Sequence, residues 1–236
     1  MYNCIVFVKN GHWPQARLVG NALTGVDELA MARRTKAEAD ETRTKLLDAA
    51  EQVFFEKGVA RASLNEIAQR AGATRGAVYW HFKDKVDVFT SMLSRICMPF
   101  EELCDDKYQE LAPLERIRKS IYAVFDSMDG DERRRKVFDT ALFKLEYVGE
   151  LESVREGHVE SFEFSQRKFA SDLARAAQEL GVQMPMSPED AALGLHSLFV
   201  GLIHGWVLTG GNFPLRQIGA VSVEAYLSGL GFPAKR

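Results

Sequence analysis

Apolar residues recur every three to four positions over most of the chain, and strand-like alternation is almost absent. That period predicts an all-α protein of about nine helices. The first clear helix is predicted from about Lys36 to Lys57, with Leu46, Leu47, Ala50, Val53 and Phe54 on one stripe and Gly58 as its stop. A second opens at Ser63, which with Glu66 forms a capping box, and ends before Gly72. Thr74 can cap a short third helix, and Asp84 opens a fourth bearing Val88, Phe89, Met92, Leu93 and Ile96. The fifth runs through Leu114–Met128, the sixth through Val137–Leu145, and a long seventh stops at Gly181. Ser187 and Pro188 mark a sharp start for the eighth, and the ninth follows Pro214. Pro99 should kink or end the fourth helix. Residues 1–30 hold scattered Gly, Pro and Asn without a sustained period, so they read as a disordered or artefactual extension before a native start at Met31.

The net charge of −3 does not point to nucleic acid, but its distribution does. Residues 31–90 carry 11 Lys/Arg against 9 Asp/Glu, whereas residues 91–236 carry 17 against 22. A basic head on an acidic body fits a phosphate-contacting module joined to something that does not touch DNA. Cys4, Cys97 and Cys104 do not make a disulfide framework. The longest apolar stretches are broken by Gly and His well short of the roughly 20 residues a membrane span needs. The N-terminus lacks the basic region of a signal peptide, so a cytoplasmic location without membrane association is expected.

The second and third helices are short, separated by Ala71-Gly72-Ala73, and braced by a longer first helix. Such an arrangement is a helix-turn-helix, whose second helix enters the major groove of DNA. Ala77, Val78 and Phe82 can face the core, which leaves Thr74, Arg75, Gly76, Tyr79, Trp80 and His81 at the surface. Three large polar aromatics side by side on so short a helix ask for a partner. Arg75 can give two hydrogen bonds to a guanine, and small Thr74 and Gly76 let the backbone come near base edges. Tyr79, His81 and Lys85 suit phosphates.

The stretches Arg33–Arg43 (R-R-T-K-A-E-A-D-E-T-R) and Ile67–Lys85 (I-A-Q-R-A-G-A-T-R-G-A-V-Y-W-H-F-K-D-K) resemble the N-terminal domain of TetR-family transcriptional regulators. They are especially similar to the AcrR/TtgR-like repressors of multidrug efflux pump operons. The resemblance implies a three-helix DNA-binding domain at 31–85 and a larger helical ligand-binding and dimerisation domain at 86–236. It implies bases met by Thr74, Arg75 and Gly76, and phosphate or sugar met by Ser63, Tyr79, Trp80, His81, Lys85 and Arg43, with added contacts from the arm Arg33–Lys36. The implied function is that of a repressor which binds a pseudo-palindromic operator as a homodimer and is released by a small hydrophobic or aromatic inducer. A regulator of metabolic or lipid genes, repressor or activator, would share the same fold.

For the body, Met92, Ile96, Phe125, Phe138, Phe162, Phe169, His196 and Phe199 are candidate walls of an inducer pocket. Gly194, Leu198, Gly201, Gly205, Ile218 and Tyr226 are candidates for a dimer interface, because interior helix glycines fit the close approach of another helix. The chain lacks the G-x-S-x-G, P-loop and H-E-x-x-H motifs of common enzyme classes. His196 and His204 lie about 12 Å apart along one helix, too far to share a metal. No catalysis, cofactor or metal is expected.

Overall fold

The computed structural model describes the backbone of residues 27–103 and 110–234, with side chains from 36–95 and 110–234. Among the described residues it is helical throughout, in the expected order: α1 (Asp27–Lys57), α2 (Leu64–Arg70), α3 (Arg75–His81), α4 (Lys85–Leu103), α5 (Pro113–Met128), α6 (Glu132–Phe143), α7 (Glu152–Leu180), α8 (Pro188–Leu208) and α9 (Leu215–Gly229). The caps form as the sequence predicts. Ser63, Thr74 and Ser187 each accept a hydrogen bond from the backbone of the residue three positions on, and Gly181 ends α7 in the left-handed conformation.

Three boundaries differ. The first helix begins at Asp27, nine residues before the expected start, so Asp27–Ala30 belongs to α1 and not to an irregular arm. Asp27-Glu-Leu-Ala-Met-Ala-Arg-Arg is rich in good helix formers but lacks the apolar period that marks a packed face. Residues 1–26 lie outside the described residues, as do the side chains of Arg33, Arg34 and Ile96 and those of the three cysteines. The fourth helix runs on past Pro99 to Leu103, so Pro99 does not end it. The sixth stops at Phe143 rather than Leu145, because Lys144 is drawn elsewhere: its ammonium donates to the Phe55 carbonyl at 2.8 Å, and its own carbonyl accepts from Val59 at 3.1 Å.

Helices α1–α3 pack around Leu46, Ala50, Phe54, Ile67, Val78 and Phe82, and α4 closes that head through Phe89 against Phe54. In the body, α8 packs on α6, α7 and α9, while α5 packs on α4, α7 and α9. Although α8 is long and apolar enough by length and composition to match a membrane span, much of it is buried against these neighbours.

The close approach of α9 to α5 depends on Gly219. A Cβ there would lie 2.3, 2.6 and 2.8 Å from atoms of the buried Phe125 ring. Gly219→Ala is expected to cost about 2–3 kcal/mol through overpacking, which urea denaturation would read. In contrast, a Cβ on Gly201 meets nothing within 4 Å among the described residues. Gly201→Ala should therefore leave the fold of the isolated chain unharmed or slightly more stable, by up to about 1 kcal/mol of helix propensity. Equal costs at the two positions would contradict this packing.

Candidate nucleic-acid interface

The turn between α2 and α3 is built from backbone hydrogen bonds. Ala71 and Ala73 donate to the carbonyls of Ile67 and Ala68 at 3.0 and 2.9 Å, and Gly72 takes the positive φ of +66° that lets the chain reverse. Thr74 then starts α3, its hydroxyl oxygen accepting from the Ala77 amide at 3.2 Å. Val78 is buried beneath, which fixes the opposite face outward. That outer face carries Thr74, Arg75, Gly76, Tyr79 and Trp80, all exposed, with Trp80 at 71% and Tyr79 at 50%. The Arg75 guanidinium donates to the Tyr79 hydroxyl at 3.3 Å and lies 5.5 Å from that ring's centre, an arrangement that points the arginine along the helix surface. Among the described residues nothing requires glycine at 76, since a Cβ there would meet only the Thr74 hydroxyl at 3.8 Å. The effect of the glycine is a low spot on an otherwise bulky face.

At the start of α2, the Ser63 amide and hydroxyl both donate to the Glu66 carboxylate, at 3.0 and 2.9 Å, while Ser63 Oγ accepts from the Glu66 amide. Lys57 pairs with the same carboxylate and, with the Ser63 bonds, holds its pKa down at about 2. The first-turn amides of Leu64 and Asn65 have no intrahelical carbonyl to bind. They border a groove of about 400 Å³ shared with Arg75, Tyr79, Lys83 and Lys85. Exposed Lys83 and Asn65 on this groove were not among the sequence candidates. Lys83 is two residues past the helix, where periodicity gives no direction.

Three of the sequence candidates point inward. His81 keeps only 9% of its surface and is set edge-on against Trp80; burial, then the charge of Arg43, lowers its pKa. Arg43 donates to Ser91 at 3.1 Å and stacks 5.1 Å from the Phe82 ring centre. The Lys85 ammonium donates to the carbonyls of Ala60 and Ala62 at 2.9 and 3.2 Å and pairs with Glu150 at 3.1 Å. Lys85 thereby pins the loop that delivers Ser63 to α2 and ties it to the body. The surface expected for these residues is given up to packing within the head and against α4 and the segment before α7.

Further ties join head and body. Arg133 on α6 forks onto Glu51 at 2.7 and 2.8 Å and reaches Asp48 at 2.6 Å, both on α1. Arg95 on α4 donates to the same Asp48 at 2.8 Å and lies 3.4 Å from Glu51. One pair of α1 carboxylates is therefore shared between the helix that leaves the head and a helix of the body. Asp48, Glu51 and Arg133 line a groove of about 710 Å³ that also includes Phe55, Lys136 and Val137.

Of the predicted pocket walls, Met92, Phe125, Phe138, Phe169, His196 and Phe199 are buried and Phe162 is half-buried. Four of them come together: the His196 ring lies 4.9 Å from Phe162, 6.4 Å from Phe169 and 5.0 Å from Phe199. Phe125 instead lies against Gly219. Of the dimer candidates, Gly194 and Tyr226 serve the chain's own packing. A Cβ on Gly194 would fall 2.1 Å from the Tyr226 hydroxyl, which donates to the Ala191 carbonyl at 3.0 Å. Leu198 and Gly205 are half-buried, while Gly201 and Ile218 are exposed. With Leu193, Leu208 and Val221 (67% exposed) they lie on an apolar face that spans α8 and α9.

The chain matches two family models. Residues 46–92 match that of bacterial regulatory proteins of the tetR family, and residues 112–232 that of the C-terminal region of MAATS-type transcriptional repressors. It is 37% identical to the transcriptional repressor BepR of Brucella suis over 204 residues, which is 86% of this chain and 98% of that protein. Among solved structures, it resembles NalD, the secondary repressor of the MexAB-OprM multidrug efflux pump in Pseudomonas aeruginosa, with a TM-score of 0.74 and 30% identity over 82% of this chain and 97% of that one. It also resembles SmeT, the repressor of a Stenotrophomonas maltophilia multidrug efflux pump, in its complex with triclosan. There the TM-score is 0.69 and the identity 32%, over 83% of this chain and 96% of that one.

Proposed function

The chain belongs to the TetR family of bacterial regulatory proteins, and from that premise we propose that it is a cytoplasmic, dimeric repressor of a multidrug efflux pump operon, released from its operator by a small aromatic molecule. One observation carries the DNA-binding half: the outer face of α3 presents Thr74, Arg75, Gly76, Tyr79 and Trp80 together, with two large aromatics left in solvent. Solvent alone gives no reason to expose them. Thr74, Arg75 and Gly76 read bases; Tyr79 and Trp80 meet the backbone beside them, and Lys83 with the amides at the start of α2 holds a phosphate. Ser63, tied to Glu66, positions those amides, and Lys85, Arg43 and His81 hold the two DNA-facing elements in register.

The dimer forms through the exposed apolar face of α8 and α9, from Leu193, Gly201, Leu208, Ile218 and Val221. A two-fold axis there would set two α3 helices over the half-sites of a pseudo-palindrome. The shared carboxylates Asp48 and Glu51 are the route by which the body shifts the heads. Efflux control rests on the likeness to NalD and SmeT.

Gel shifts with DNA from upstream of the chain's own gene, run over a salt series, test the reading. Binding should be tight and should weaken steeply as salt rises. Binding that does not distinguish this DNA from random sequence would overturn it. Arg75→Ala should weaken the preferred sequence by about 10- to 100-fold while flattening base preference. Lys83→Ala should weaken all sequences alike and lower the salt slope by about one. Equal behaviour of the two variants would refute the division between base-reading and phosphate-holding residues.

A further inference from the structure

Ser63, Arg75, Tyr79, Lys83 and Lys85 of the head line the groove beside α2 and α3, and Glu150 of the body lines it with them. Glu150 stands in the short turn Gly149–Leu151, which leads directly into α7. Leu151 and Val154 are buried and α7 packs on α5 and α8, so this carboxylate is carried by the body. The start of the same segment is fixed to the end of α1. Lys144 donates to the Phe55 carbonyl at 2.8 Å, lies 3.5 Å from the centre of that ring, and accepts from the Val59 amide at 3.1 Å. Residues 144–150 thus form a strap from the end of α1 to the edge of the DNA-facing groove.

An ammonium has three hydrogens to give. Lys85 donates to the carbonyls of Ala60 and Ala62, at 2.9 and 3.2 Å, and also pairs with Glu150 at 3.1 Å. The Lys85 side chain is 12% exposed and that of Glu150 53%, so the carboxylate covers the lysine from the solvent side. Asp84, another carboxylate on this groove, accepts from the Asp87 amide at 2.9 Å and so caps α4. Glu150 instead brings a negative charge from the body to the surface where phosphates are expected.

We propose that Glu150 is an electrostatic brake on DNA binding, a body carboxylate that occupies Lys85 where a DNA phosphate would otherwise pair with it. A phosphate entering the groove meets Glu150 as a like charge and competes with it for the ammonium. Binding therefore displaces Glu150, and the affinity of the head depends on where the body holds the strap. The proposal rests on the reading that α3 and the groove beside it face DNA, and it adds a body residue that sets how tightly.

The test uses the full chain in gel shifts over a salt series, with DNA from upstream of its own gene and random-sequence DNA of equal length. Glu150→Gln keeps the shape of the side chain and removes its charge. It should tighten binding to both DNAs by about two- to fivefold at low salt, the range of one exposed charge pair. The salt slope should steepen by about one, because Lys85 then neutralises a phosphate, and the advantage should fade as salt rises. Glu146, exposed on the same strap, lines a different groove. Glu146→Gln removes the same charge and should stay close to wild type. Weaker binding by Glu150→Gln would mean that the carboxylate holds Lys85 in place, and an unchanged affinity or slope would mean that no phosphate meets it. Either result overturns the brake, as would equal tightening by Glu146→Gln, which would reduce the effect to net charge. A wild-type protein that binds neither DNA would overturn the DNA-binding reading and the brake with it. Specific, salt-dependent binding by the wild type with no gain in Glu150→Gln would remove the brake alone.

Discussion

Arg118→Met is expected to lower stability by about 3 kcal/mol, and to weaken DNA binding with it. Arg118 stands on α5 with only 6% of its side chain exposed. Its fork donates to both oxygens of Glu224 on α9, at 2.8 and 2.9 Å, and its Nη2 also reaches the Pro233 carbonyl at 3.1 Å. Tyr122 adds a 2.6 Å bond to the same carboxylate, and burial together with that carboxylate raises the tyrosine's pKa. Methionine would fill much of the volume but remove the guanidinium that both Glu224 oxygens bind. Removing one partner of a buried pair costs about 3–5 kcal/mol. The lower end applies because the Glu224 side chain keeps 23% of its exposure and can take up water. The double variant Arg118→Met, Glu224→Leu removes both charges and should recover much of the loss, since an apolar pair of similar volume is often no worse than a buried ion pair. Urea denaturation of the three proteins measures this. A single variant within about 1 kcal/mol of wild type would show that the network contributes little. The functional consequence follows from position: Ile218 and Val221, on the exposed face of α9, are held in place by the helix that Glu224 anchors.

The features legible in the sequence are local ones. Ser63 with Glu66, Thr74, Ser187 with Pro188 and the stop at Gly181 are written within four residues of where they act, and each forms as predicted. The exposure of Arg75, Tyr79 and Trp80 follows from Val78 on a helix of seven residues, and Phe82 at its C-terminal cap, facing inward. Where the reading misplaced a residue, a distant partner decided the outcome. Lys85 turns inward because Ala60, Ala62 and Glu150 converge on it, and Arg43 because Ser91 and the Phe82 ring do. The same holds for the Arg133 tie to Asp48, which spans 85 residues, and for Gly219, whose need to be glycine is set by Phe125 on another helix. Gly194 shows the ambiguity directly. An interior helix glycine signals a close approach, but the approaching helix is α9 of the same chain rather than one from a partner.

Acid is expected to destabilise the protein well above the range where its carboxylates titrate. His158 and His196 are both buried, and burial lowers each pKa from 6.5 to about 4. His158 is fixed by the Tyr147 hydroxyl at 2.6 Å from Nδ1, and His196 is enclosed by Phe162, Phe169 and Phe199. Above pH 6.5 both histidines are neutral in the folded and unfolded chains alike and contribute no pH dependence. As pH falls from 6.5 toward 4 the unfolded chain takes up protons that the folded chain refuses, so stability drops with each step. Below about 4 both states are protonated and the loss is complete. Each group can contribute a slope of up to about 1.4 kcal/mol per pH unit within that window. Stability measured by urea at pH 7, 6 and 5 should therefore fall by several kcal/mol, with little of the loss above pH 6.5. His196→Leu should roughly halve the slope and, by removing two unmatched polar atoms from an apolar cage, raise stability at pH 7 as well. Tyr147→Phe provides the contrast, because it loosens His158 and leaves His196 alone. A stability that stays flat between pH 7 and 5, or a slope unchanged in His196→Leu, would mean that the imidazole accepts its proton within the fold. The enclosure of His196 would then be weaker than its 2% exposure indicates.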